Sequence, residues 1–351
     1  MSRNGAPLFD ERFLETFSNA AGVSGGEDSV RAAVVDAVKE HVDSLEVDAM
    51  GSLVARIAPA GRRRGPHVML CAHMDEVGVM ITAVDSDGRL RFRKVGGIDS
   101  RILVGQVFRI GTNGLRGVVG TLPPHLIQRA DREKVAPIEE LYLDLGATSR
   151  AEAQERVSVG DYATFDTTYE RWGDTRKGKA FDDRAGCAVL ASLVRSRPPI
   201  PVTAVWSVQE EVGLRGAAGA ARRVAPDLAI VLEGTASGEA PGLTPEESAP
   251  LMGGGPVLTV QDRSLMANAR LVDLIERTAR RKKIPTQWKR PGIGGTDAGR
   301  IALSGAGVPA AVISVACRYI HAPAAYLDIK DARRTVALVW HTLDSLTKEW
   351  P

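Results

Sequence analysis

The segment PVTAVWSVQEEVG, residues 201–213, joins an apolar run to two adjacent acidic residues, Glu210 and Glu211. The apolar run is rich in β-branched residues, which predicts a buried strand. An ionised carboxylate is costly to remove from water unless a positive group compensates it, so we expect a cation near this strand end. Because neighbouring residues of a regular strand point to opposite faces, the chain is expected to leave strand geometry near Gln209, where Gly213 permits a turn.

Patterns of helices and strands alternate along the chain after about residue 178. Strands are predicted at 201–208, 227–234 and 309–317, and helical segments separate them. Alternation of this kind is typical of an α/β fold with a mainly parallel sheet flanked by helices. The helical and strand patterns near the N-terminus fit the same layer.

The pattern between residues 77 and 165 differs from the rest of the chain. Short alternating segments are separated by hairpin signals, Asp-Gly at 87–88 and Asn-Gly at 113–114. These features predict a small β-barrel-like domain, 77–165, inserted into an α/β domain made of residues 1–76 and 166–351.

The composition limits the possible classes of protein. The 351 residues carry a net charge of +2 and contain no long block of Lys and Arg, which argues against a nucleic-acid partner. No apolar run is long enough to span a bilayer, and the N-terminus lacks the apolar segment of a signal peptide. Three cysteines, an odd number, argue against a disulfide framework. We therefore expect a cytoplasmic protein without a membrane or nucleic-acid partner.

Histidine and carboxylate side chains lie where predicted strands end or helices begin. In open α/β sheets, ligands bind beyond the carboxyl ends of the strands. Two histidines with several carboxylates form a ligand set that suits zinc, cobalt or manganese. The candidates are His73 and Asp75 after HVMLCA, Asp182 and Asp183 at the start of DDRAGCAVL, Glu210 and Glu211, Glu233 at the end of DLAIVL, and His321 after PAAVISVACRYI.

Each candidate also has an ordinary structural explanation. A lone histidine is more often packed or solvent-exposed than a ligand, and paired aspartates can cap a helix N-terminus. The three cysteines are either zinc ligands or small buried hydrophobic residues, and we favour the second interpretation. The remaining histidines, His41, His67, His125 and His341, are expected to be structural.

Five motifs in order resemble those of the dinuclear-metal aminopeptidases of the tetrahedral (TET) type, a family that includes glutamyl aminopeptidases and cellulase-M homologues. The resemblance covers nearly the whole chain, and GVSGGED at 22–28 fits it as well. It implies an exopeptidase-like α/β domain and a β insertion used in dimer contacts, with dimers assembling into a hollow dodecamer. The motifs are HMDEVG, GKAFDDRAG, VQEEVGLRGA, GGTDAG and CRYIH.

The resemblance implies two divalent metal ions in each subunit, zinc with cobalt or manganese as alternatives. A hydroxide held between the two ions would attack the peptide carbonyl. The implied ligands are His73 and Glu233 on one ion, Glu211 and His321 on the other, and Asp182 bridging both.

Two further residues are implied to act in catalysis. Asp75 would orient the imidazole of His73, and Glu210 would act as the general base that passes a proton from water to the leaving amine. The chain departs from the family pattern at Glu233, where many relatives have Asp followed by Val-Thr. A second departure is Glu239, which replaces the usual Asp before Pro-Gly.

The expected function is that of a metal-dependent aminopeptidase acting on peptides with free N-termini. Related dinuclear hydrolases that act as deacylases or carboxypeptidases have a similar ligand set and remain an alternative. A non-catalytic metal-binding assembly protein is a second alternative, against which the presence of Glu210 argues. A glycosidase is disfavoured, because its two carboxylates need no metal or histidine. The walls of the substrate pocket are expected from loops such as 255–266 and 288–295.

Overall fold

The computed structural model describes residues 5–59, 65–123, 125–128 and 134–350. These residues form a mixed α/β unit around a central sheet, together with a separate closed barrel of six strands. The predicted fold class, an α/β sheet flanked by helices with an additional β-barrel-like unit, is confirmed.

The helices range from one turn to the long helix that ends the chain. Within the described ranges, none of them combines the length and the apolar character needed to cross a bilayer. They are α1 (Glu11–Asn19), α2 (Asp28–Val38), α3 (Arg150–Gln154), α4 (Phe181–Arg195), α5 (Arg215–Val224), α6 (Pro245–Ser248), α7 (Ala269–Lys282), α8 (Asp297–Ala302) and α9 (Ile329–Glu349).

The strands divide between the central sheet and the barrel. They are β1 (Ser44–Val47), β2 (Leu53–Ile57), β3 (Val68–His73), β4 (Gly78–Val84), β5 (Leu90–Val95), β6 (Val107–Ile110), β7 (Leu115–Gly120), β8 (Tyr142–Asp144), β9 (Tyr162–Phe165), β10 (Glu170–Trp172), β11 (Thr175–Gly178), β12 (Val202–Ser207), β13 (Leu228–Ala236), β14 (Val257–Thr259), β15 (Gln287–Trp288), β16 (Ala310–Arg318) and β17 (Ala325–Asp328).

The central sheet has the order β1-β2-β12-β3-β13-β16-β17-β11-β10, and β14 pairs with β16 outside this path. Its middle strands β12, β3, β13 and β16 are parallel, whereas the strands on either side of these four pair antiparallel. Parallel strands present their carboxyl ends at one edge of the sheet, so the segments that follow β3, β12 and β16 emerge together there.

Both faces of the middle of the sheet are buried. Strands β3 and β12 are buried at every position. Leu70 and Ala72 of β3 pack into one apolar core, and Met69 and Cys71 pack into a second core on the opposite face. Burial on both faces explains why these strands are continuous apolar runs without polar alternation.

One strand boundary differs from its prediction. The sequence predicts a strand at 227–234 with Glu233 at the end of its apolar run, but β13 continues to Ala236. Its pairing with β3 extends only as far as Val231, whereas its pairing with β16 reaches Ala236 opposite Cys317. Because β16 supplies hydrogen bonds beyond the last pair with β3, Glu233 lies inside a strand.

The barrel closes in the order β4-β5-β8-β7-β6-β9, and all of its neighbouring strands are antiparallel. Its strands lie within 78–165, inside the segment predicted as an insertion. It has its own apolar core, in which the ring centroids of Phe108 and Phe165 are 4.5 Å apart. The domain boundaries and the role of the barrel in dimer contacts stay predictions.

Candidate metal centre

The candidate site lies at the edge of the sheet where the parallel strands end. His73 is the last residue of β3, while Glu210 and Glu211 follow β12 and His321 follows β16. The structure brings all seven predicted site residues together at this edge: His73, Asp75, Asp182, Glu210, Glu211, Glu233 and His321.

Asp182 lies between the two histidines. Its Oδ1 atom is 3.1 Å from Nε2 of His73, and its Oδ2 atom is 3.5 Å from Nε2 of His321. The residue lies in the first turn of α4, but its φ of −88° and ψ of 102° are outside the helical region. A single carboxylate thus directs one oxygen towards each histidine, an arrangement that suits a carboxylate bridging two cations through both of its oxygens.

Two more carboxylates lie close to the histidines. Oε1 of Glu233 is 3.2 Å from Nε2 of His73, and Oε1 of Glu211 is 3.0 Å from Nε2 of His321. These short distances lack hydrogen-bond geometry: in the described part of the chain, Oε1 of Glu211 and both carboxylate oxygens of Glu233 are buried without a hydrogen-bond partner. Buried polar atoms are normally satisfied, so these oxygens fit the ligand atoms of a cation.

The ligand atoms form two overlapping groups. One atom each of His73, Asp182 and Glu211 lie within 4.8 Å of one another, and so do atoms of His73, Glu210 and Glu233. This grouping differs from the ligand sets that the family resemblance implies: it places His73 in both groups, adds Glu210 and leaves out His321. His321 joins the cluster through its contact with Glu211, whose Oε1 atom is 3.0 Å from Nε2 of His321. Imidazole nitrogen and carboxylate oxygen are the donors that zinc, cobalt and manganese accept.

Asp75 connects the histidine side of the site with the glutamates. Its Oδ1 atom is 3.4 Å from Nδ1 of His73. It also accepts hydrogen bonds from the backbone N–H groups of Glu210 at 2.9 Å and Glu211 at 3.1 Å. The hydroxyl of Ser24 donates a further bond to Asp75 at 2.6 Å. The sequence predicts only the contact with the imidazole, and the structure adds that Asp75 holds the backbone of both glutamates.

The chain leaves strand geometry at Gln209, as the sequence predicts. Gln209 has a left-handed φ of 57°, and Gly213 follows with a φ of 126°. The N–H of Gln209 donates to the buried carboxylate of Glu27 at 3.2 Å. Sequence reasoning assigned no role to Ser24 or Glu27, although the match of GVSGGED to the motif series was the signal that could have identified them.

The histidines are subject to opposing electrostatic effects. Burial alone lowers the pKa of an imidazole, but neighbouring carboxylates outweigh burial here. The pKa of His73 is raised well above its ordinary value, with Glu233 as the strongest raising influence. Asp182 and Glu211 raise the pKa of His321 to about 11. Both shifts favour the protonated imidazole in the metal-free protein.

Burial and the close charged groups also shift the pKa values of the carboxylates. Burial, and then the nearby carboxylates, raise the pKa of Glu210 well above its usual value, and burial raises that of Glu233 to about 8. For Asp182, hydrogen bonds from His321 and His73 outweigh burial and keep the pKa well below its ordinary value. A surplus of buried carboxylates is the charge pattern that a divalent cation compensates.

Glu210 opens onto a cavity beside the centre. Its side chain is 9% exposed, and it lines a cavity of about 290 Å³. The carboxylates of the centre form one wall, and Lys289 with the loop 293–296 forms another. The loop 288–295, predicted as a pocket wall, contributes to this cavity.

Two buried aspartates lie behind the ligands. Asp183 accepts a hydrogen bond from the backbone N–H of His73 at 3.2 Å. Asp297 accepts one from the hydroxyl of Ser207 at 2.5 Å, and burial raises the pKa of Asp297 to about 6. Sequence reasoning named Asp183 without a role, and Asp297 only as part of GGTDAG.

The cysteines are buried and remain outside the candidate ligand groups of the described residues. Sγ of Cys187 lies 3.1 Å from the carbonyl oxygen of His73, and Sγ of Cys71 lies 3.6 Å from the hydroxyl of Ser207. These contacts favour the interpretation as small buried residues. The histidines expected to be structural also lie outside the ligand groups found in the described ranges: His41, His67, His125 and His341.

Comparisons with known proteins agree with one another. The family model for the M42 glutamyl aminopeptidase matches residues 51–338. The lysyl aminopeptidase of Pyrococcus furiosus is 32% identical over 351 residues, which cover 97% of this chain and 98% of the relative.

Two solved structures share the fold over nearly the full length. The TET aminopeptidase of the marine sediment archaeon Thaumarchaeota archaeon SCGC AB-539-E09 has a TM-score of 0.90 and 34% identity, covering 95% of this chain and 98% of its own. The TET1 peptidase of Pyrococcus horikoshii has a TM-score of 0.83 and 32% identity, and the match covers 94% of this chain and 98% of the peptidase. That peptidase is described as assembling into a tetrahedron or a large octahedral shell.

Proposed function

The chain belongs to the M42 glutamyl aminopeptidase family of metallopeptidases, and from this premise we propose that it removes N-terminal residues from peptides by hydrolysis at a centre of two divalent metal ions. His73, Asp182 and Glu233 would hold one ion, and Asp182, Glu211 and His321 would hold the other. Zinc fits this donor set, with cobalt or manganese as alternatives. The observation that carries the proposal is that the two oxygens of Asp182 face different histidines.

When bound, the ions would polarise the scissile carbonyl and lower the pKa of a water molecule. Proton transfer is assigned to the carboxylate of Glu210, which takes a proton from the attacking water and donates it to the nitrogen of the leaving amine. Glu210 is suitably placed, since one of its oxygens lies within 4.8 Å of ligand atoms of His73 and Glu233.

Asp75 is assigned a positioning role. It touches His73 through Nδ1 and fixes the backbone on which Glu210 and Glu211 are mounted. A group held by contacts of this kind keeps one orientation, which is what both metal binding and proton transfer require.

An aminopeptidase requires a substrate with a free N-terminal amino group, and this requirement distinguishes it from a deacylase or a carboxypeptidase. The carboxylates that line the cavity favour a protonated N-terminal amine at this end. Short peptides are expected to be shortened stepwise from the N-terminus, while N-acetylated copies of the same peptides remain intact. Mass spectrometry of the products with zinc, cobalt or manganese present checks this. Loss of acetyl groups or of C-terminal residues would contradict the proposal.

The preferred N-terminal residue does not follow from the relatives. The family is described by a glutamyl activity, whereas the P. furiosus relative is a lysyl aminopeptidase. The preference must therefore be sought in the residues of this chain.

We also propose that the barrel mediates dimer contacts and that dimers assemble into a dodecamer. The P. horikoshii relative is described as assembling into a tetrahedron or a large octahedral shell. Val107 and Val118 are partners in adjacent barrel strands, and both are exposed. Paired apolar side chains on one exposed face are typical of a surface that another subunit covers.

Light scattering is expected to show an oligomer for the wild type and a smaller species for Val107→Asp combined with Val118→Asp. Two charges in a buried contact would be left without partners, which opposes association. Leu303→Asp is the matched control, because Leu303 is an exposed apolar residue outside the barrel and its replacement should leave the mass unchanged. A monomeric wild type at micromolar concentration would refute the assembly.

A further inference from the structure

Three consecutive backbone N–H groups at the end of β12 donate to buried carboxylates from distant parts of the chain. Asp75 accepts the N–H groups of Glu210 and Glu211, one on each oxygen. The N–H of Gln209 donates instead to Oε1 of Glu27 at 3.2 Å. Gln209 has the left-handed φ of 57°, a conformation that residues other than glycine seldom adopt. The contact with Glu27 therefore falls on the residue where the chain turns away from the strand.

Glu27 immediately precedes α2, but the helix does not account for its buried side chain. Among the described residues, no capping hydrogen bond joins the Glu27 side chain to α2, and the residue is only 4% exposed. Its Oε1 atom instead accepts two backbone N–H groups, from Gly25 at 2.8 Å and from Gln209 at 3.2 Å. A buried carboxylate is costly unless hydrogen bonds satisfy it. One oxygen thus ties the segment before α2 to the turn after β12.

The segment that carries Glu27 is fixed by two other parts of the chain. The N–H of Gly22 donates to Oε1 of Glu76 at 3.0 Å, and the N–H of Glu76 donates to the carbonyl of Gly22 at 2.9 Å. The barrel supplies the second contact, since a Cβ atom added to Gly26 would lie 2.7 Å from Cδ2 of Tyr162. A group mounted on a fixed segment can hold the turn in one position.

We propose that Glu27 is a positioning residue for the general base, because its bond to the N–H of Gln209 fixes the turn from which Glu210 presents its carboxylate. The inference rests on the proposed function, in which Glu210 moves the proton. Without this bond the turn would be free to shift, and a misplacement of about 1 Å at a reacting group can cost about 10²-fold in rate. Metal binding should change little, since Glu211 keeps its own bond to Asp75.

Two substitutions at Glu27 separate this role from a role at the start of α2. Glu27→Gln removes the charge but keeps a side-chain oxygen at the same distance, and one oxygen can accept both N–H groups. Glu27→Asp keeps the charge that suits a helix N-terminus, but its shorter side chain withdraws the oxygen from Gln209. A residue needed only to begin α2 would tolerate aspartate better than glutamine, whereas the positioning role requires the opposite order.

The metal-loaded Glu27→Asp variant is expected to lose about 10–100-fold in kcat, with KM within about twofold of the wild type. Its metal content and Tm should stay close to those of the wild type, and Glu27→Gln should keep kcat within about threefold. Aminoacyl anilide kinetics, elemental analysis and thermal unfolding provide these values. Three results would overturn the inference: wild-type kcat in Glu27→Asp, an equally large loss of kcat in Glu27→Gln, or loss of metal in step with loss of kcat.

Glu152→Asp is the matched control for the shortened side chain. Glu152 lies in α3 and uses Oε2 to accept the N–H of Thr148 at 2.9 Å, so the same change withdraws an oxygen from another backbone N–H. Within the described chain, neither residue lines the cavity or belongs to the ligand groups, and kcat should be unchanged. A comparable loss of kcat in this control would overturn the inference, because shortening any such glutamate would then suffice.

Hydrogen exchange followed by mass spectrometry tests the contact without turnover. A peptide that contains Gln209 should exchange faster in Glu27→Asp than in the wild type, while Glu27→Gln should match the wild type. Equal exchange in all three proteins would overturn the inference even if kcat falls. A wild type that hydrolyses no aminoacyl anilide would instead overturn the proposed function, and the exchange would still decide whether Glu27 holds the turn. If Glu27→Asp does not fold, Glu27→Met, which has a similar length but no strong acceptor, takes its place with the same expected results.

Discussion

The Glu210→Gln variant is expected to bind metal like the wild type and to lose about 10²–10⁴-fold in kcat, the range for removal of a general base. Glutamine preserves the size of the side chain but cannot take a proton from water. The backbone N–H of Glu210 still donates to Asp75, so the local turn is expected to persist. Elemental analysis of the purified variant beside an aminoacyl anilide assay checks both halves of the prediction.

Glu211→Gln is the matched comparison, because the two residues are adjacent and the change is chemically identical. Glu211 approaches His321 at 3.0 Å and is assigned to metal binding, so its variant should lose metal as well as activity. Equal loss of metal in both variants, with full activity retained in Glu210→Gln, would show that the roles within this pair are wrongly assigned.

Removal of metal is expected to abolish activity completely, and zinc, cobalt or manganese should restore it. The three assigned carboxylates and two histidines offer no catalytic route of their own, since the proposed chemistry needs a polarised carbonyl. Dialysis against a chelator followed by titration with each metal provides the measurement. Full activity after exhaustive chelation, with metal absent by elemental analysis, would rule out the dinuclear mechanism.

Recovery of metal should also depend on pH. The pKa values of His73 and His321 are raised above their ordinary value in the metal-free protein, which favours the protonated imidazoles, and each imidazole must release its proton to bind metal. Metal affinity should therefore rise with pH, by about tenfold per pH unit for each proton displaced. His73→Ala and His321→Ala should each remove roughly one metal, whereas His41→Ala should remove none. An affinity that does not change between pH 6 and 8 would contradict this assignment of protons.

The local features of the site could be predicted from the sequence because they depend on near neighbours along the chain. An apolar run followed by Glu210 and Glu211 indicated a strand ending at a charged site, and Gly213 indicated the turn that Gln209 begins. The same holds for the barrel, whose hairpins are marked by short turn sequences at 87–88 and 113–114. Steric preferences of this kind act over a few residues, so they can be recognised without knowing the fold.

Contacts between distant parts of the chain were decided by the tertiary structure. Asp75 meets the N–H groups of Glu210 and Glu211 across more than a hundred residues, and this pairing follows from the parallel register of β3 and β12. The position of Glu233 inside β13 likewise depends on the longer pairing with β16. No local pattern specifies which strands become neighbours or how far each pair extends.

Lys289 is the clearest example of a feature that the tertiary structure decided and the local sequence did not. In the sequence it is one cation in a polar loop, next to Arg290, and its residue type predicts exposure. The structure buries most of Lys289 and exposes Arg290, and the loop 293–296 lies against the end of the Lys289 side chain. The sequence alone thus determined the fold class, the residue types of the candidate metal centre and the turn that presents the glutamates. Which side chains become buried was determined only when the loops packed around the cavity, because burial depends on contacts between segments that are distant along the chain.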